Sequence, residues 1–557
     1  MSRIIECVPN FSEGRDEATL QAICQAVESV DGVKLLDMDP GAATHRTVFT
    51  FAGEPEAVVE AAVRAARAGT ERIDMGKHQG EHPRFGALDV CPLVPIAGVT
   101  MEETVEHART LARRLGEEVG LTIYCYEDAA TRPERKNLAE VRAGEYEGLA
   151  AKLANPEWAP DFGPAEFQPK TGATAVGARD FLVAYNVNLN TTSVKLANQV
   201  AFDVREKGRV QRDENGKVVR GADGTKLRQP GSLKQVKGIG WFIEEYGVAQ
   251  ISMNLTNISV TPVHVAFDEV VKKSGERGMR VTGSELVGLV PLKSMLEAGR
   301  HYLSKQQRSI GVSDAELIKI AVKSMGLDEL APFDPNEKII EYVLAKDAPA
   351  RLADLSLRGF VEETASESMA PGGGSVAAAL AALGAGLGTM VANLSADKKG
   401  WEARWERFSA VADQGKRLAD EAIALIDRDT DAFNGIIAAR RLPKATEAEQ
   451  AARAEAIEAA TCGAIDVPFR AMEVGCEAFD VLDAMAEEGN PASISDVGVG
   501  ALCARSAVLG AHLNVRINVG DLASEETRQD YLARAQELAD RAIERERRVL
   551  AAVDAKL

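Results

Sequence analysis

The pattern of hydrophobic residues changes near residue 350 of this 557-residue chain. Before that point, short β-branched and apolar runs alternate with amphipathic stretches, and Gly and Pro separate them. Beyond it, strand-like runs nearly disappear, and Ala, Leu, Glu and Arg dominate. The first pattern predicts α/β units and the second predicts packed helices. A chain of this length also exceeds one ordinary hydrophobic core, so several domains are expected.

The predicted fold class is therefore multidomain, with two α/β subdomains followed by an all-α helix bundle. The order β-α-β-β-α-β-α-β in the first part predicts a mixed sheet, in a ferredoxin-like layered arrangement. The expected boundaries are 1–180 for the first subdomain, 181–344 for the second, 345–353 for a linker and 354–557 for the bundle. The charged, Gly-rich segment 212–229 is interpreted as a mobile surface insert. The small-residue stretch 172–179 is interpreted as part of a bridge where the chain can approach a ligand.

The composition excludes several classes of function. The formal net charge of -19 argues against nonspecific binding to nucleic acid or to an anionic membrane surface. The 7 cysteines are scattered without a Cys-X-X-Cys pair, which indicates neither a disulfide framework nor a zinc site. The N-terminus lacks a signal-peptide core, and Gly or charge interrupts the Ala-rich stretches before they can span a bilayer. A cytoplasmic protein without a membrane span is expected.

One short stretch, Lys77 to Pro92, gathers two histidines, a glutamate, an arginine and an aspartate. Its Gly and Pro residues break helices, so the polar groups are expected on a loop that leads into a strand. His82 is the first candidate for a catalytic base, because imidazole exchanges a proton near neutral pH. A lone loop histidine is more often structural, so composition leaves both readings open. A metal site with His45 and His78 is disfavoured, since the spacing matches no helical ligand pair.

Two further groups of residues have both a functional and a structural interpretation. Asp39 and Arg46 flank a predicted strand end and could contact a ligand, but Asp-Pro-Gly is itself a strong turn signal, and the structural reading is favoured. Residues Gly372 to Ser375 join three glycines to a predicted helix start. That start suits an anionic or carbonyl group, or else a close helix–helix contact. No Walker A lysine follows at the required spacing.

Lys398 and Lys399, at the end of the same predicted helix, either neutralise ligand carboxylates or form a solvated pair favoured by the helix dipole. Three acids, Asp427, Asp429 and Asp431, alternate within the next helical stretch. Acids are unfavourable inside a helix, so at least one of them is expected to have a specific role.

Long motifs in this sequence resemble a known family. Segments 6–14 and 80–90 resemble glutamate formimidoyltransferase, and segment 370–377 resembles formimidoyltetrahydrofolate cyclodeaminase. Their order matches the bifunctional formimidoyltransferase-cyclodeaminase family. The resemblance implies transfer of a formimino group from N-formimino-L-glutamate to N5 of tetrahydrofolate, in histidine degradation. It further implies cyclisation of 5-formiminotetrahydrofolate to 5,10-methenyltetrahydrofolate, with release of ammonia.

The same resemblance assigns residues. It places His82 at the catalytic position of the transferase and Asp429 at that of the cyclodeaminase, as a general acid for the departing ammonia. Asp39 and Arg46 become pocket partners on weaker grounds, and Gly373, Gly374, Ser375, Lys398 and Lys399 become candidate ligand contacts in the second domain. The folate-contacting stretch matches Gly163, Pro164, Ala165, Glu166, Phe167, Gln168, Pro169, Lys170, Thr171 and Gly172.

The resemblance implies tetrahydrofolate, in polyglutamylated form, as a co-substrate, no metal, and a homo-oligomer built as a ring of dimers. Two alternatives stay open. One is folate-dependent formyl transfer from formylglutamate on the same fold. The other is a folate-binding assembly protein with a silent site.

Overall fold

The computed structural model describes residues 3–42, 44–80, 84–346 and 350–557. The chain divides into two compact units, residues 1–295 with 325–347, and residues 296–324 with 348–557. Segment 296–324, expected within the second α/β subdomain, thus groups with the helical part of the chain. The subdomain and linker boundaries given above remain a prediction.

The first unit begins with a seven-stranded mixed sheet in the order β1-β4-β2-β5-β7-β6, with β3 added beside β4. Strands β5, β7 and β6 are parallel, and the remaining pairs are antiparallel. The mixed sheet is therefore confirmed. The strands are β1 (Ile4–Cys7), β2 (Asn10–Phe11), β3 (Val33–Gly41), β4 (Arg46–Gly53), β5 (Leu88–Ala97), β6 (Thr122–Glu127) and β7 (Ala173–Ala178).

Helices pack against this sheet through their apolar faces. Helix α3 starts at a capping box, in which Thr100 accepts from the Glu103 N–H and the Glu103 side chain accepts from the Thr100 N–H. The helices of this region are α1 (Glu17–Glu28), α2 (Pro55–Arg72), α3 (Met101–Arg114), α4 (Leu138–Val141) and α5 (Glu145–Leu153).

Strand β7 differs from the sequence-based prediction. The sequence predicts that the small residues of 173–178 are part of a bridge, yet they form a fully buried strand between β5 and β6. Four of the six residues are Ala or Gly, which have low strand propensity, so Thr174 and Val176 leave only a weak strand signal. Tertiary packing selects them instead, because the Tyr126 ring lies where a Cβ on Gly177 would stand.

A second sheet, ordered β11-β12-β8-β13, is antiparallel throughout. With helices α6 (Val194–Val204) and α7 (Val263–Gly275) it has the β-α-β-β-α-β order of a ferredoxin-like layer, as expected. The strands of this part of the chain are β8 (Val183–Leu189), β9 (Arg209–Val210), β10 (Arg228–Gln229), β11 (Val236–Ile243), β12 (Val248–Leu255) and β13 (Val281–Val287).

The segment between β9 and β10 is the predicted surface insert. The two strands pair antiparallel, and isolated bridges join Arg212 to Val218 and Arg220 to Lys226. The insert is exposed, as expected, and its backbone is organised into short hydrogen-bonded turns.

The second unit is built from long helices around one core of mainly Ala, Val and Leu. The predicted bundle is confirmed. Helix α14 carries Asp427, Asp429 and Asp431, as expected, and α15 runs through Pro468. Helices α10 and α11 belong to the first unit. The helices from α8 onwards are α8 (Leu292–Lys305), α9 (Asp314–Met325), α10 (Pro335–Lys338), α11 (Ile340–Ala345), α12 (Leu357–Thr364), α13 (Gly373–Ala396), α14 (Trp405–Arg440), α15 (Glu447–Glu488), α16 (Ile494–Asn518) and α17 (Glu525–Asp554).

Two stretches of the described residues, Gly373–Ala396 and Pro491–Asp521, are long and apolar enough to cross a membrane by length and composition alone. About half of each apolar window is buried inside the protein, 56% and 50% respectively. Core helices of soluble proteins pass the same test, so this is weak evidence for a membrane span.

Candidate functional site

A buried carboxylate organises polar side chains on the first sheet. Asp89 on β5 is wholly buried, and its Oδ2 accepts from Arg46 Nη1 at 2.5 Å and from Arg142 Nη2 at 2.9 Å. Arg46 Nε also donates to Asn10 Oδ1 at 2.9 Å. We call these four residues the Asp89 cluster. They come from β2, β4, β5 and the end of α4, so the sheet brings together residues that are far apart in sequence.

A second group links the start of β4 to the loop before residue 81. His45 Nδ1 lies 3.0 Å from the Gln79 carbonyl, and its Nε2 lies 3.0 Å from Glu13 Oε1. A carbonyl and a carboxylate only accept, so both bonds form together when both ring nitrogens carry hydrogen. In return, His78 Nε2 donates to the His45 carbonyl at 2.7 Å, and the two rings stack at 4.4 Å.

The titration of the two partners agrees with this arrangement. Burial lowers the pKa of His78, and the nearby His45 and Arg84 lower it further, which favours the neutral ring. Burial opposes ionisation of Glu13, but hydrogen bonds from the Asp16 and Arg15 N–H groups and the proximity of His45 lower the pKa of Glu13 overall. The group therefore joins an ionised Glu13 to the His45 ring, which in turn stacks on His78.

The candidate base His82 lies outside the described residues, so its contacts are not described. Arg84 Nη1 donates to the carbonyls of Met75 and His78, and Nε donates to Glu147 Oε1 at 2.9 Å. The Arg84 guanidinium also lies over the Tyr146 ring, 4.5 Å from its centroid. The chain is thus anchored at residues 75–80 and again at Arg84.

A cavity of about 880 Å³ lies in the first unit. Its polar wall includes Asn10, Tyr126, Arg142, Arg179, Lys237 and Asn257. Acidic side chains, among them Asp128 and Asp180, line it as well. The volume is that of a typical small-molecule site, and the wall offers both hydrogen-bond donors and acceptors.

A smaller cavity of about 360 Å³ shares Val8, Arg179 and Leu182 with the first. Glu6 lies on its wall, and burial raises the pKa of this carboxyl to about 7, although Arg179 opposes the shift. Arg179 therefore lines both cavities, and the carboxyl that it influences, Glu6, lines the smaller one.

Segment 163–172 forms a loop against the edge of the large sheet. The Met75 N–H donates to the Lys170 carbonyl, the Ala87 N–H donates to the Thr171 carbonyl, and Tyr146 donates to the Pro169 carbonyl. None of its residues belongs to the wall of the 880 Å³ cavity. It packs instead beside the loop before residue 81, and its contact with folate stays a prediction.

The structure separates the two weaker candidates on the β3–β4 hairpin. Arg46 is part of the Asp89 cluster, with its side chain only 12% exposed. Asp39 lies on β3, where it pairs with Val48 of β4, and its side chain is exposed. The ligand roles of both residues stay predictions.

In the helical unit, the Gly372–Ser375 segment meets the predicted acid. Asp429 Oδ2 on α14 accepts from the Ser375 N–H at 2.9 Å and from Ser375 Oγ at 3.0 Å. A Cβ on Gly374 would stand 2.1 Å from Asp429 Oδ1, so only glycine lets the carboxylate approach the first turn of α13. This close approach agrees with the interpretation of the glycines as a tight helix–helix contact, and the contact of Gly373, Gly374 and Ser375 with a ligand stays a prediction.

Burial raises the pKa of Asp429, and the hydrogen bonds from Ser375 oppose the shift only in part. A carboxyl that keeps its proton to higher pH is suited to donate it to a leaving group. Asn514 on α16 lies on the other side of the same turn, where a Cβ on Gly373 would be 3.4 Å from its Nδ2.

The neighbouring acids have different surroundings. Asp427 Oδ1 accepts from the Leu352 N–H at 2.8 Å, which is a structural contact.

The two candidate lysines lie at the other end of α13. Lys398 donates to Asn490 Oδ1 at 3.0 Å and lies over the Trp401 ring. Since α13 rises 1.5 Å per residue, its 24 residues hold Lys398 and Lys399 about 36 Å from the Gly373 end. The chain does not bring these lysines to Asp429, and their role with folate stays a prediction.

Sequence reasoning missed the Asp89 cluster as a unit. Asp89 offered one signal, a carboxylate inside the otherwise apolar run from Ala87 to Val94. Arg142 offered none, because it lies at the end of a four-residue helix with no motif around it. Within the described ranges, no group of three or more His, Cys, Asp or Glu side chains is arranged to hold a metal ion.

Comparison with known proteins adds independent information. Three family models match in succession: the N-terminal subdomain of the formiminotransferase domain over residues 4–179, the formiminotransferase domain over 184–345, and formiminotransferase-cyclodeaminase over 356–537.

Similar proteins match the chain in whole and in part. Formimidoyltransferase-cyclodeaminase of Mus musculus is 43% identical over 526 residues, which covers 94% of each chain. The protein of the same name from Rattus norvegicus is 42% identical over 557 residues, all of both chains. Glutamate formimidoyltransferase of Streptococcus pyogenes serotype M1 is 41% identical over 303 residues, 54% of this chain and 94% of that protein.

Proposed function

Since this chain belongs to the formimidoyltransferase-cyclodeaminase family, we propose that it catalyses two consecutive steps on tetrahydrofolate. It transfers the formimino group of N-formimino-L-glutamate to N5, and it then cyclises the product to 5,10-methenyltetrahydrofolate. The observation that carries the proposal is that a relative named for both activities aligns with 94% of this chain and of its own length.

In the transfer step, N5 of tetrahydrofolate attacks the formimino carbon, and the bond from that carbon to the glutamate nitrogen breaks. A proton leaves N5 and a proton reaches the departing glutamate nitrogen, so one base that later acts as an acid suffices. His82 takes this role by its motif. The anchored flanks at 75–80 and Arg84 support the proposal, because a catalytic side chain needs a fixed backbone.

In the cyclisation step, N10 attacks the same carbon and loses its proton. The bond from that carbon to the formimino nitrogen breaks, and this nitrogen accepts protons and departs as ammonia. Asp429 is the proposed acid. Its burial and its raised pKa support this role, since the carboxyl retains a proton that it can give to the leaving nitrogen. Deprotonated Asp429 is stabilised by the two Ser375 donors, which remain in place when the proton leaves.

The substrate form, assembly and location follow as further parts of the proposal. Tetrahydrofolate is used in polyglutamylated form, and the chain acts as a homo-oligomer, a ring of dimers, in the cytoplasm. Exposed apolar residues on α13 and α16, such as Leu383, Leu513 and Ile517, support self-association. Sedimentation velocity of the purified chain tests it, and a monomer at all concentrations would contradict it.

The first experiment mixes purified protein with tetrahydrofolate and formiminoglutamate, and follows the near-ultraviolet band of methenyltetrahydrofolate together with ammonia. Equal growth of band and ammonia is expected. Glutamate release without the band would remove the second step from the proposal. If glutamate is released from formylglutamate but not from formiminoglutamate, the donor is formylglutamate. If folate binds without any turnover, the chain is an assembly protein with a silent site.

A further inference from the structure

The Asp89 cluster contains a charge that is expensive to bury. Asp89 is 0% exposed, while its partners Arg46 and Arg142 are 12% and 19% exposed. Replacing a buried ion pair by apolar residues is often neutral or stabilising, so such a pair is weak evidence for a role in stability alone. A role in positioning its partners is the alternative.

The partners of Asp89 lie beside the 880 Å³ cavity. Arg142, Asn10 and Val90 all belong to its wall, and Val90 directly follows Asp89 on β5. Arg46 stands behind this wall, with Nε on Asn10 and Nη1 on Asp89. Asp89 Oδ2 thus orients two guanidinium groups. That of Arg142 forms part of the cavity wall, and that of Arg46, behind it, holds Asn10.

A matched buried pair elsewhere in the unit has no such connection. Arg135 Nη1 donates to Asp161 Oδ2 at 2.7 Å, and both side chains are almost fully buried. Asp161 accepts from the Cys125 N–H, and Arg135 donates to the Ala159 carbonyl, so this pair fastens a loop to β6. Neither residue lines the cavity. The two pairs therefore separate the effect of losing a buried charge from the effect of losing a wall residue.

We propose that Arg142 binds a carboxylate of the glutamyl group handled at the transferase site, and that Asp89 is the positioning residue that aims it. A guanidinium is planar and presents paired donors that match a carboxylate, which a mobile lysine does not. The proposal rests on the proposed function, because the glutamyl group belongs either to the formimino donor or to the folate tail. Both sources share the same chemistry.

The test measures KM and kcat of transfer for Arg142→Gln and Arg142→Lys in the full chain, with tetrahydrofolate and formiminoglutamate varied in turn. Loss of a charge-assisted hydrogen bond is expected to raise KM for one substrate by roughly tenfold to a hundredfold, with kcat nearly unchanged. A rise for formiminoglutamate identifies the donor carboxylate. A rise for tetrahydrofolate that is absent with tetrahydropteroate, which has no glutamate, identifies the tail. If neither KM changes, the proposal is wrong.

Asp89→Asn tests the positioning role against Asp161→Asn, which also removes a buried carboxylate charge. Both variants are expected to lose thermal stability, but only Asp89→Asn should reproduce the KM rise of Arg142→Gln. Equal KM values in the two variants would reduce Asp89 to a structural residue and overturn its part of the proposal. A transfer kcat close to that of the unchanged chain reports that the first unit of each variant is folded.

Calorimetric titration with L-glutamate keeps this proposal separate from the proposed function. Weakened binding of glutamate to Arg142→Gln, relative to the unchanged chain, supports the carboxylate site even if no formimino transfer occurs. Transfer activity with KM values and glutamate binding that are insensitive to Arg142→Gln would leave the proposed function intact and overturn the site.

Discussion

At the scale of single residues, the burial of the proposed acid Asp429 affects both its chemistry and the stability of the fold. Its carboxyl is buried at the first turn of α13, where a helix N-terminus favours the ionised form and burial favours the protonated form. Burial dominates, and the pKa of Asp429 is raised from its ordinary 3.8. Ionisation of Asp429 therefore costs stability in the folded protein.

Asp429→Asn should abolish cyclisation and also raise the melting temperature at neutral pH. Because the folded pKa is raised, the carboxyl favours folding most below pH 3.8, and that contribution is lost as pH rises through the folded value. The stability difference between variant and parent should shrink as the pH falls towards 3.8. Melting temperatures measured across this range check the sign, and a variant that is less stable at pH 7 would contradict the proposed balance.

Gly374→Ala should disable cyclisation without touching transfer. The new Cβ would lie 2.1 Å from Asp429 Oδ1 and must displace the carboxylate. Displacement of a catalytic group by about 1 Å costs on the order of a hundredfold in rate. The matched control is Gly386→Ala in the same helix, where nothing lies within 4 Å of the added atom. The control should keep its activity, and equal losses in both variants would point to a general helix defect.

At the scale of elements, polar side chains fix the positions of loop segments that have few contacts with the apolar core. The core fixes how β4, β5 and α2 pack, and it reaches the loop that leads towards residue 81 at Met75. His45 ties this loop to the start of α1 through Glu13 and Gln79. Beyond Met75, the loop is positioned by directional hydrogen bonds.

His45→Ala should loosen residues 75–80 and lower the transfer rate, while cyclisation continues. The variant loses the bonds to Gln79 and Glu13 and the stacking on His78. Hydrogen–deuterium exchange of peptides over 75–80 should become faster. His107→Ala is the control, since His107 lies on α3 and its Nε2 approaches the exposed Glu56 carboxylate at 4.0 Å. Unchanged exchange in His45→Ala would show that other contacts hold the loop.

At the scale of the whole molecule, the two candidate sites belong to different compact units. The Asp89 cluster and the His45 contacts lie in the first unit, and Asp429 with Ser375 lies in the second. Each unit has its own buried core. Loss of one site should therefore leave the other intact.

His82→Ala should abolish transfer and still cyclise supplied 5-formiminotetrahydrofolate, whereas Asp429→Ala should transfer and accumulate that intermediate. A mixture of the two variants should restore methenyltetrahydrofolate formation, because the intermediate made by one can reach the other through solution. Absorbance and ammonia release measure each step. If either variant kept its assigned step, that residue's role would be wrong.

The sequence by itself determined the class of each part of the chain. Hydrophobic periodicity is local, so it predicted the α/β part, the helical part and most element positions without knowledge of packing. The long motifs, with His82 and Asp429 inside them, indicated the family. The prediction was wrong for β7, where the mostly small residues of 173–178 carry only a weak strand signal.

Only the tertiary structure decided which side chains meet. Asp89 joins Arg46 and Arg142, which are 43 and 53 residues away, and Ser375 meets Asp429 across 54 residues. The same folding places Lys398 and Lys399 at the far end of α13. Contacts of this kind depend on sheet order and helix packing, which no local pattern encodes, because many arrangements bury the same apolar faces.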